Sequence, residues 1–208
     1  MAEVVTKGVG KVERTADRAE VQVSFETKGP TRNEAVDALT ARVAEVEPAL
    51  GQPGVEVRSR QLSVHDDWNG KRRHGSRATQ NYVVRVNDVA ALDDLLAALV
   101  LAEPTWLSGP TWQLGDDAEA VREAQREAVL DARRRAEGYT AALGARLGPL
   151  QLLTDGDAEL WATEARGMRA AGYGGGAPGV PPQVDQLNLE AQQIVVTVRC
   201  TASWTLLD

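Results

Sequence analysis

The chain has 208 residues, of which 43% are hydrophobic and 25% are charged. A chain of this length buries about 70% of its unfolded surface on folding, so one domain needs neither a disulfide nor a metal for stability. No apolar run approaches the roughly 20 residues of a membrane-spanning helix, and the composition argues against a collagen-like fibre and a wholly disordered chain.

Net charge and cysteine content indicate which kinds of partner and which cellular compartment to expect. Thirty acidic residues against 23 basic ones give a net charge of −7, so phosphate backbones repel the chain unless its basic residues cluster. The basic clusters at residues 71–74 and 133–135 fall in a predicted hairpin loop and in an acidic helix, which predicts solvated surface and no nucleic-acid partner. The single cysteine, Cys200, excludes an intrachain disulfide, and the N-terminal residues show no signal-peptide pattern, which predicts a cytoplasmic protein.

Predicted strands and helices alternate through the first half of the chain. In order, they are strands over residues 3–14 and 19–28, a helix over 31–50, strands over 55–66 and 78–86, a short helix after Asp88 and a strand over 106–114. Thr31 and Glu34 have the spacing of a capping box at the start of the first helix. The apolar phase slips within the third strand, which predicts a β-bulge near residues 59–61, and the polar residues 67–76 predict a hairpin loop.

The second half begins with the longest predicted helix. Asp116 and Asp117 open it, and Gly-Pro at residues 148–149 ends it. Its predicted inner stripe consists of Val121, Ala124, Ala128, Ala132, Ala136, Tyr139, Leu143 and Leu147. A short strand over residues 150–154 follows, and the aperiodic residues 155–188, rich in glycine and proline, predict a long loop.

The last predicted strand, over residues 194–206, shows the clearest alternation. One face is expected in the core, and the other faces water or a partner. The inward residues are Ile194, Val196, Val198, Cys200, Ala202, Trp204 and Leu206. Cys200 is therefore expected to be a small core hydrophobe.

Together these elements predict an α+β protein with a mainly antiparallel sheet. Residues 19–114 follow the order β-α-β-β-α-β, which is typical of a ferredoxin-like split unit. A first strand, the long helix and a C-terminal β-hairpin are added to this unit. We predict one domain over residues 1–208, with the loop at 155–188.

Several local motifs in this order resemble those of a known family. They are Val9-Gly10, Asn33-Glu34-Ala35, residues 80–86 ahead of Asp88, the alanine-rich helix from Arg126 and Val196-Thr197-Val198. Over nearly the whole chain, the sequence resembles the SIMPL domain family (DUF541). The family has no established catalytic residues, so the resemblance implies none for this chain. It implies self-assembly into oligomers and a link to protection against oxidative or envelope stress. Members are often exported envelope proteins, whereas this chain shows no leader.

No motif predicts a reaction or a cofactor. The candidate metal ligands are His65, Asp66, Asp67 and His74. Their segment is also typical of turns, and we predict no metal. Residues 172–176 lack the Lys-Ser/Thr of a phosphate loop, and the pair Gly8 and Gly10 predicts a strand bulge. Catalytic and cofactor-binding residues are therefore predicted to be absent.

The tryptophans suggest an interaction surface. Trp204 and one of the pair Trp106 and Trp112 are expected in the core. The remaining two lie in predicted loops, where exposed aromatic residues often mark contacts, although a loop tryptophan can also fold back over a sheet. The candidate interaction surface is Trp68, Trp161 and Tyr173.

These observations lead to one main hypothesis and two alternatives. The main hypothesis is a non-enzymatic protein of the SIMPL type that assembles into a homo-oligomer, with no nucleic-acid partner and no membrane span. The first alternative is a small-molecule or peptide binding module that uses the loop at 155–188. The second is an enzyme whose site the sequence does not reveal.

Overall fold

A computed structural model of the protein describes residues 2–162 and 189–208. These residues divide into two compact units. The first unit comprises residues 2–16, 114–162 and 192–208, and the second comprises 17–113 and 189–191. The single domain over the whole chain stays a prediction.

Strands dominate the described part of the chain. They are β1 (Glu3–Thr15), β2 (Arg18–Gly29), β3 (Val55–Asn69), β4 (Arg72–Val86), β5 (Trp106–Gln113), β6 (Arg146–Ala162) and β7 (Gln193–Leu207). The helices are α1 (Arg32–Ala44), α2 (Glu47–Leu50), α3 (Leu92–Leu101) and α4 (Ala118–Ala142), and a 3₁₀ turn over Val89–Ala91 leads into α3.

The sheet of the second unit has the strand order β3-β4-β2-β5, and each neighbouring pair is antiparallel. The connection through α1 joins β2 to β3 across β4, and the connection through α3 joins β4 to β5 across β2. Each β-α-β crossover therefore encloses one further strand, as in a ferredoxin-like split unit. The predicted α+β class with a mainly antiparallel sheet is confirmed.

Helix α1 starts as predicted but ends early. The Thr31 hydroxyl accepts a hydrogen bond of 3.2 Å from the Glu34 amide and donates one of 2.8 Å to the Glu34 carboxylate. The single helix predicted over 31–50 is wrong, because the chain divides there into α1 and α2. Pro48 lacks the N–H that would bond to the carbonyl of Ala44, so the first helix ends at Ala44.

Strands β3 and β4 form a longer hairpin than predicted. The loop expected at residues 67–76 is wrong, because β3 continues to Asn69 and only Gly70 and Lys71 form the turn. Gly70 has φ of 61°, a left-handed value that suits a two-residue hairpin turn.

The bulge predicted in β3 is confirmed to within one residue. Val57 pairs with Val84 and Ser59 pairs with Val83, so Arg58 is the extra residue. The insertion moves the inward face from odd to even positions, which explains the slip of the apolar phase.

The first unit contains a sheet of order β1-β7-β6, covered on one face by α4. The alternation predicted for β7 is confirmed, because its residues on the α4 side are buried from Ile194 to Trp204. Its opposite face is less open than expected: Thr197, Ser203 and Thr205 are buried there. Their side chains are short, and β7 is the central strand of three.

Helix α4 lies on the sheet through small residues. Those buried on it are Ala120, Ala124, Ala128, Ala132, Ala136 and Thr140. The predicted stripe is right at its four alanines and wrong at Tyr139 and Leu143, which are exposed. The stripe continues in steps of four residues, so Thr140 takes the place assigned to Tyr139. The helix also ends sooner than predicted, at Ala142. Two residues later Gly144 adopts φ of 70°, a left-handed value that is common just after the end of a helix.

Gly8 and Gly10 allow the close approach of α4 to β1. The bulge predicted there is wrong, because β1 pairs with β7 in unbroken register from Glu3 to Thr15. A Cβ at Gly10 would overlap the carbonyl oxygen of Ala124 and lie 2.6 Å from the amide nitrogen of Ala128. The glycines therefore serve helix-to-strand packing.

Candidate interaction surface

The tryptophans chosen from the sequence lie on strands. Trp68 is on β3 and Trp161 is on β6, so their predicted loop positions are wrong. Both are exposed, at 58% and 64%. The Trp161 indole N–H donates a hydrogen bond of 3.4 Å to Glu159. The third candidate, Tyr173, lies outside the described residues, and the interaction role of all three stays a prediction.

Asp66, one of the candidate metal ligands, is held by cations. The Arg32 guanidinium donates bonds of 3.2 and 3.1 Å to its two carboxylate oxygens, and Arg73 lies 3.2 Å away. The buried Ser76 hydroxyl donates a further bond of 3.2 Å. The hydrogen bond from Arg32 is the main cause that lowers the pKa of Asp66 below its ordinary value of 3.8.

Asp67 is also paired with cations. Its oxygens lie 3.5 Å from Arg77 and 3.6 Å from Lys28. Within residues 2–162 and 189–208, no three side chains of His, Cys, Asp or Glu come together as a metal site would require. The cluster is an ion-pair network that joins the β3–β4 hairpin to α1 and β2.

Cys200 lies under α4, as predicted. Burial raises the pKa of its thiol, and the nearby Asp155 and Asp131 carboxylates raise it further, although a hydrogen bond with the Gly8 backbone acts in the opposite direction. The thiol is therefore protonated at neutral pH, which does not suit a nucleophile.

The sequence predicted only residues 150–154 of β6 and missed the length of this strand and its exposed apolar side chains. The strand exposes large apolar side chains along most of its length, and these are Leu150, Leu152, Leu153, Leu160 and Trp161. Within the described residues β6 has one neighbour, β7, so it forms an edge of the sheet. A long apolar edge strand is unusual in a protein that stays monomeric.

Three of these leucines lie on the face that carries α4. Leu150, Leu153 and Leu160 pair with residues of β7 that face the helix, namely Trp204, Ala202 and Val196. Directly opposed residues in an antiparallel pair point to the same side of the sheet. Because α4 lies mainly on β1 and β7, it leaves this part of β6 uncovered. We call these three residues the β6 leucine surface.

A groove runs between α4 and two residues of the β6 leucine surface, Leu150 and Leu153. Its helix wall presents every fourth residue of α4, namely Gln125, Val129, Arg133 and Glu137. Two cavities of about 320 and 530 Å³ lie along it. Val198, Cys200 and Trp204 of β7 contribute to its floor. The groove is apolar at its base and carries a balanced ion pair, Arg133–Glu137, on its rim.

The edge of β6 suits contact with a partner through side chains better than backbone pairing with a further strand. Pro149 has no N–H to offer to a further strand, and the β6 register shifts near Gly148, Gln151 and Gly156. Irregularities of this kind discourage continuous backbone pairing at a sheet edge.

Comparison with known proteins identifies the family. The family model of SIMPL, a protein of unknown function (DUF541), matches residues 4–204. The chain belongs to the SIMPL family. The resemblance noted from the sequence is thus confirmed, and no curated protein matches this SIMPL chain.

One solved structure similar to the SIMPL chain is the crystal structure of an unknown protein from Galdieria sulphuraria. The two share 14% identity over 88% of this chain and 82% of that one, with a TM-score of 0.26. As for membrane insertion, none of the helices in the described ranges has both the length and the apolar character that a crossing demands.

The sequence of this SIMPL chain held a partial signal for the β6 surface. Leucines at 150, 152 and 153 and the pair Leu160-Trp161 flank the polar residues 154–159. The lack of periodicity from residue 155 onward led to the prediction of a strand over 150–154 followed by a loop, whereas β6 continues to Ala162.

Proposed function

We propose that this SIMPL chain works as a homo-oligomeric assembly protein rather than as an enzyme, and that its copies meet through the β6 leucine surface. The observation that carries the proposal is the row of half-exposed leucines that α4 leaves uncovered along β6. Apolar side chains left in water at a sheet edge cost free energy, and covering them favours association.

A second copy of the chain suits this groove for two reasons. Burial of a leucine side chain contributes about 1.5–3 kcal/mol when it is complete, so several half-exposed leucines on each copy supply a useful part of an interface. A two-fold contact brings the same patch of both copies together. The charged residues along the groove balance, because Arg133 pairs with Glu137 and Arg146 and Asp155 add one charge of each sign. This balance spares two chains of net charge −7 direct repulsion at the contact.

The proposal is tested by placing charge on the β6 leucine surface. We expect the double variant Leu153→Glu with Leu160→Glu to be monomeric, because four carboxylates would face one another in a two-fold contact. The two leucines are 46% and 43% exposed, so the variant should still fold. Light scattering after size-exclusion chromatography measures the mass, and circular dichroism checks the fold.

The matched control is Leu101→Glu on α3. Leu101 is a leucine of similar exposure, 55%, in the second unit. This variant should keep the mass of the unmodified protein. If the double variant also keeps it, the β6 leucine surface is not the contact.

Two finer parts of the hypothesis stay predictions. The family resemblance implies a link with stress protection. The alternative binding module would use residues 155–188, of which 155–162 belong to β6 and 163–188 lie outside the described residues.

A further inference from the structure

A third cavity of the first unit lies on the face of its sheet that α4 does not cover. It has a volume of about 370 Å³ and spans all three strands of the sheet. The side chains that border it on this face are Lys7 and Val9 of β1, Arg199 and Thr201 of β7 and Thr154 of β6. Its size falls in the range of about 300–1,000 Å³ that is typical of small-molecule sites.

The cavity is rich in hydrogen-bond donors. Thr201 pairs with Lys7 on one side and with Thr154 on the other, so an ammonium group and two hydroxyls lie in one row across the sheet. Arg199 occupies the next row, opposite Val9. The Lys7 ammonium makes no ion pair with any residue that the structure describes.

A nearby carboxylate pairs with Arg199 but leaves several of its N–H groups free. One guanidinium nitrogen of Arg199 contacts Glu159 at 2.7 Å, and its remaining N–H groups can serve a ligand. Asp155 borders the cavity, but it pairs with Cys200, whose side chain faces α4. The Asp155 carboxylate raises the pKa of that thiol, which agrees with a position on the α4 side.

The backbone at the cavity rim is irregular in a way that shapes the site. The register of β6 shifts between Asp155 and Ala158, and Gly156 lies within this bulge. A Cβ at Gly156 would lie 2.5 Å from the carbonyl oxygen of Arg199, so only glycine lets β6 approach β7 this closely. Bulges are frequent beside binding sites because they redirect side chains.

We propose that this cavity binds a dianionic phosphate group, supplied either as free phosphate or as the phosphate of a small monoester. Lys7 supplies the unpaired positive charge, and Arg199 adds the guanidinium N–H groups that Glu159 does not occupy. Thr154 and Thr201 supply hydroxyl donors, and Val9 offers an apolar wall to an attached organic group. The site lies on the opposite face from the β6 leucine surface and goes beyond the proposed assembly function.

The test is calorimetric titration of the full chain with inorganic phosphate, ribose 5-phosphate and ribose. We expect saturable binding of the first two and none of ribose. Tighter binding of ribose 5-phosphate would identify a monoester, and equal affinities would identify free phosphate. Affinity for ribose 5-phosphate should fall as the pH drops below about 6, because its phosphate then loses its second charge.

Lys7→Gln and Lys11→Gln form the matched pair of variants. Both lysines lie on the same face of β1, but only Lys7 borders the cavity. Lys7→Gln should weaken phosphate binding about ten-fold, as expected for the loss of a charged hydrogen bond, whereas Lys11→Gln should change it less than about two-fold. Equal weakening by the two variants, equal binding of ribose, or no saturable binding would overturn the proposal.

Discussion

Glycine and alanine set the distance between β1 and α4. Gly8 and Gly10 lie beneath the backbone of the alanine stripe, and the Thr6 hydroxyl donates a buried hydrogen bond of 2.7 Å to the carbonyl of Ala132. The strand and the helix thus meet through backbone atoms and methyl groups. Packing this tight tolerates no added volume.

Gly10→Ala should lower the free energy of unfolding by about 2–4 kcal/mol, because the new methyl group must push α4 away from β1. Urea denaturation measures the change. The control is Gly138→Ala in α4, where a Cβ meets no atom within 4 Å. That substitution should raise the free energy of unfolding by about 0.5–1 kcal/mol, because alanine favours a helix. A Gly10→Ala protein as stable as the unmodified one would contradict the close packing.

Cys200 reports on the same packing through its reactivity. Because burial raises the pKa of its thiol, the folded protein should react with a disulfide reagent at neutral pH far more slowly than the unfolded chain. The absorbance of the released thiolate gives both rates. Equal rates with and without urea would show that the thiol is not covered by α4.

The burial of single residues could be predicted where the pattern of neighbouring residues alone determines it. Trp204 and Trp112 are buried as expected, and Trp106 is exposed. The two glycines of β1 were misread as a bulge, because their role depends on a helix more than a hundred positions later in the chain. Tyr139 was misplaced because helical spacing alone does not decide between neighbouring positions at the end of a stripe.

At the scale of elements, Asp66 ties the β3–β4 hairpin to α1 through Arg32. The folded protein holds the pKa of Asp66 below its ordinary value of 3.8, so folding favours the charged carboxylate. This contribution to stability is present above the unfolded pKa and is lost as the pH falls through the folded one.

The titration of Asp66, followed by NMR of its carboxyl carbon, should therefore have a midpoint below 3.8. Arg32→Gln should move the midpoint upward, because it removes the main cause of the lowered pKa. Arg58→Gln removes the cation beside Glu56 instead and should leave Asp66 unchanged. A midpoint that does not respond to Arg32→Gln would show that the hydrogen bond is not formed in solution.

Helices and strands with a strong hydrophobic period were predicted well, whereas strand segments of polar composition were not. The alternation of β7 and the capping of α1 both follow from local sequence. Residues 67–76 and the end of β6 have turn-like composition, yet all but Gly70 and Lys71 lie in strands. Pairing with a neighbouring strand overrides composition there, and the sequence does not display that pairing.

At the scale of the whole molecule, the main feature is that α4 covers only part of the sheet of the first unit. One helix lies over a three-stranded sheet and covers two strands, so the leucines of β6 stay exposed. Fold class and family could be predicted because they rest on the order of elements and on dispersed motifs. The β6 leucine surface could not, because it depends on where α4 lies across the sheet.

The mass of the unmodified protein in solution tests the assembly claim most directly. Size-exclusion chromatography with light scattering at micromolar concentration should give twice the chain mass of 22.3 kDa or a higher multiple. A single species of 22.3 kDa under these conditions would contradict the account.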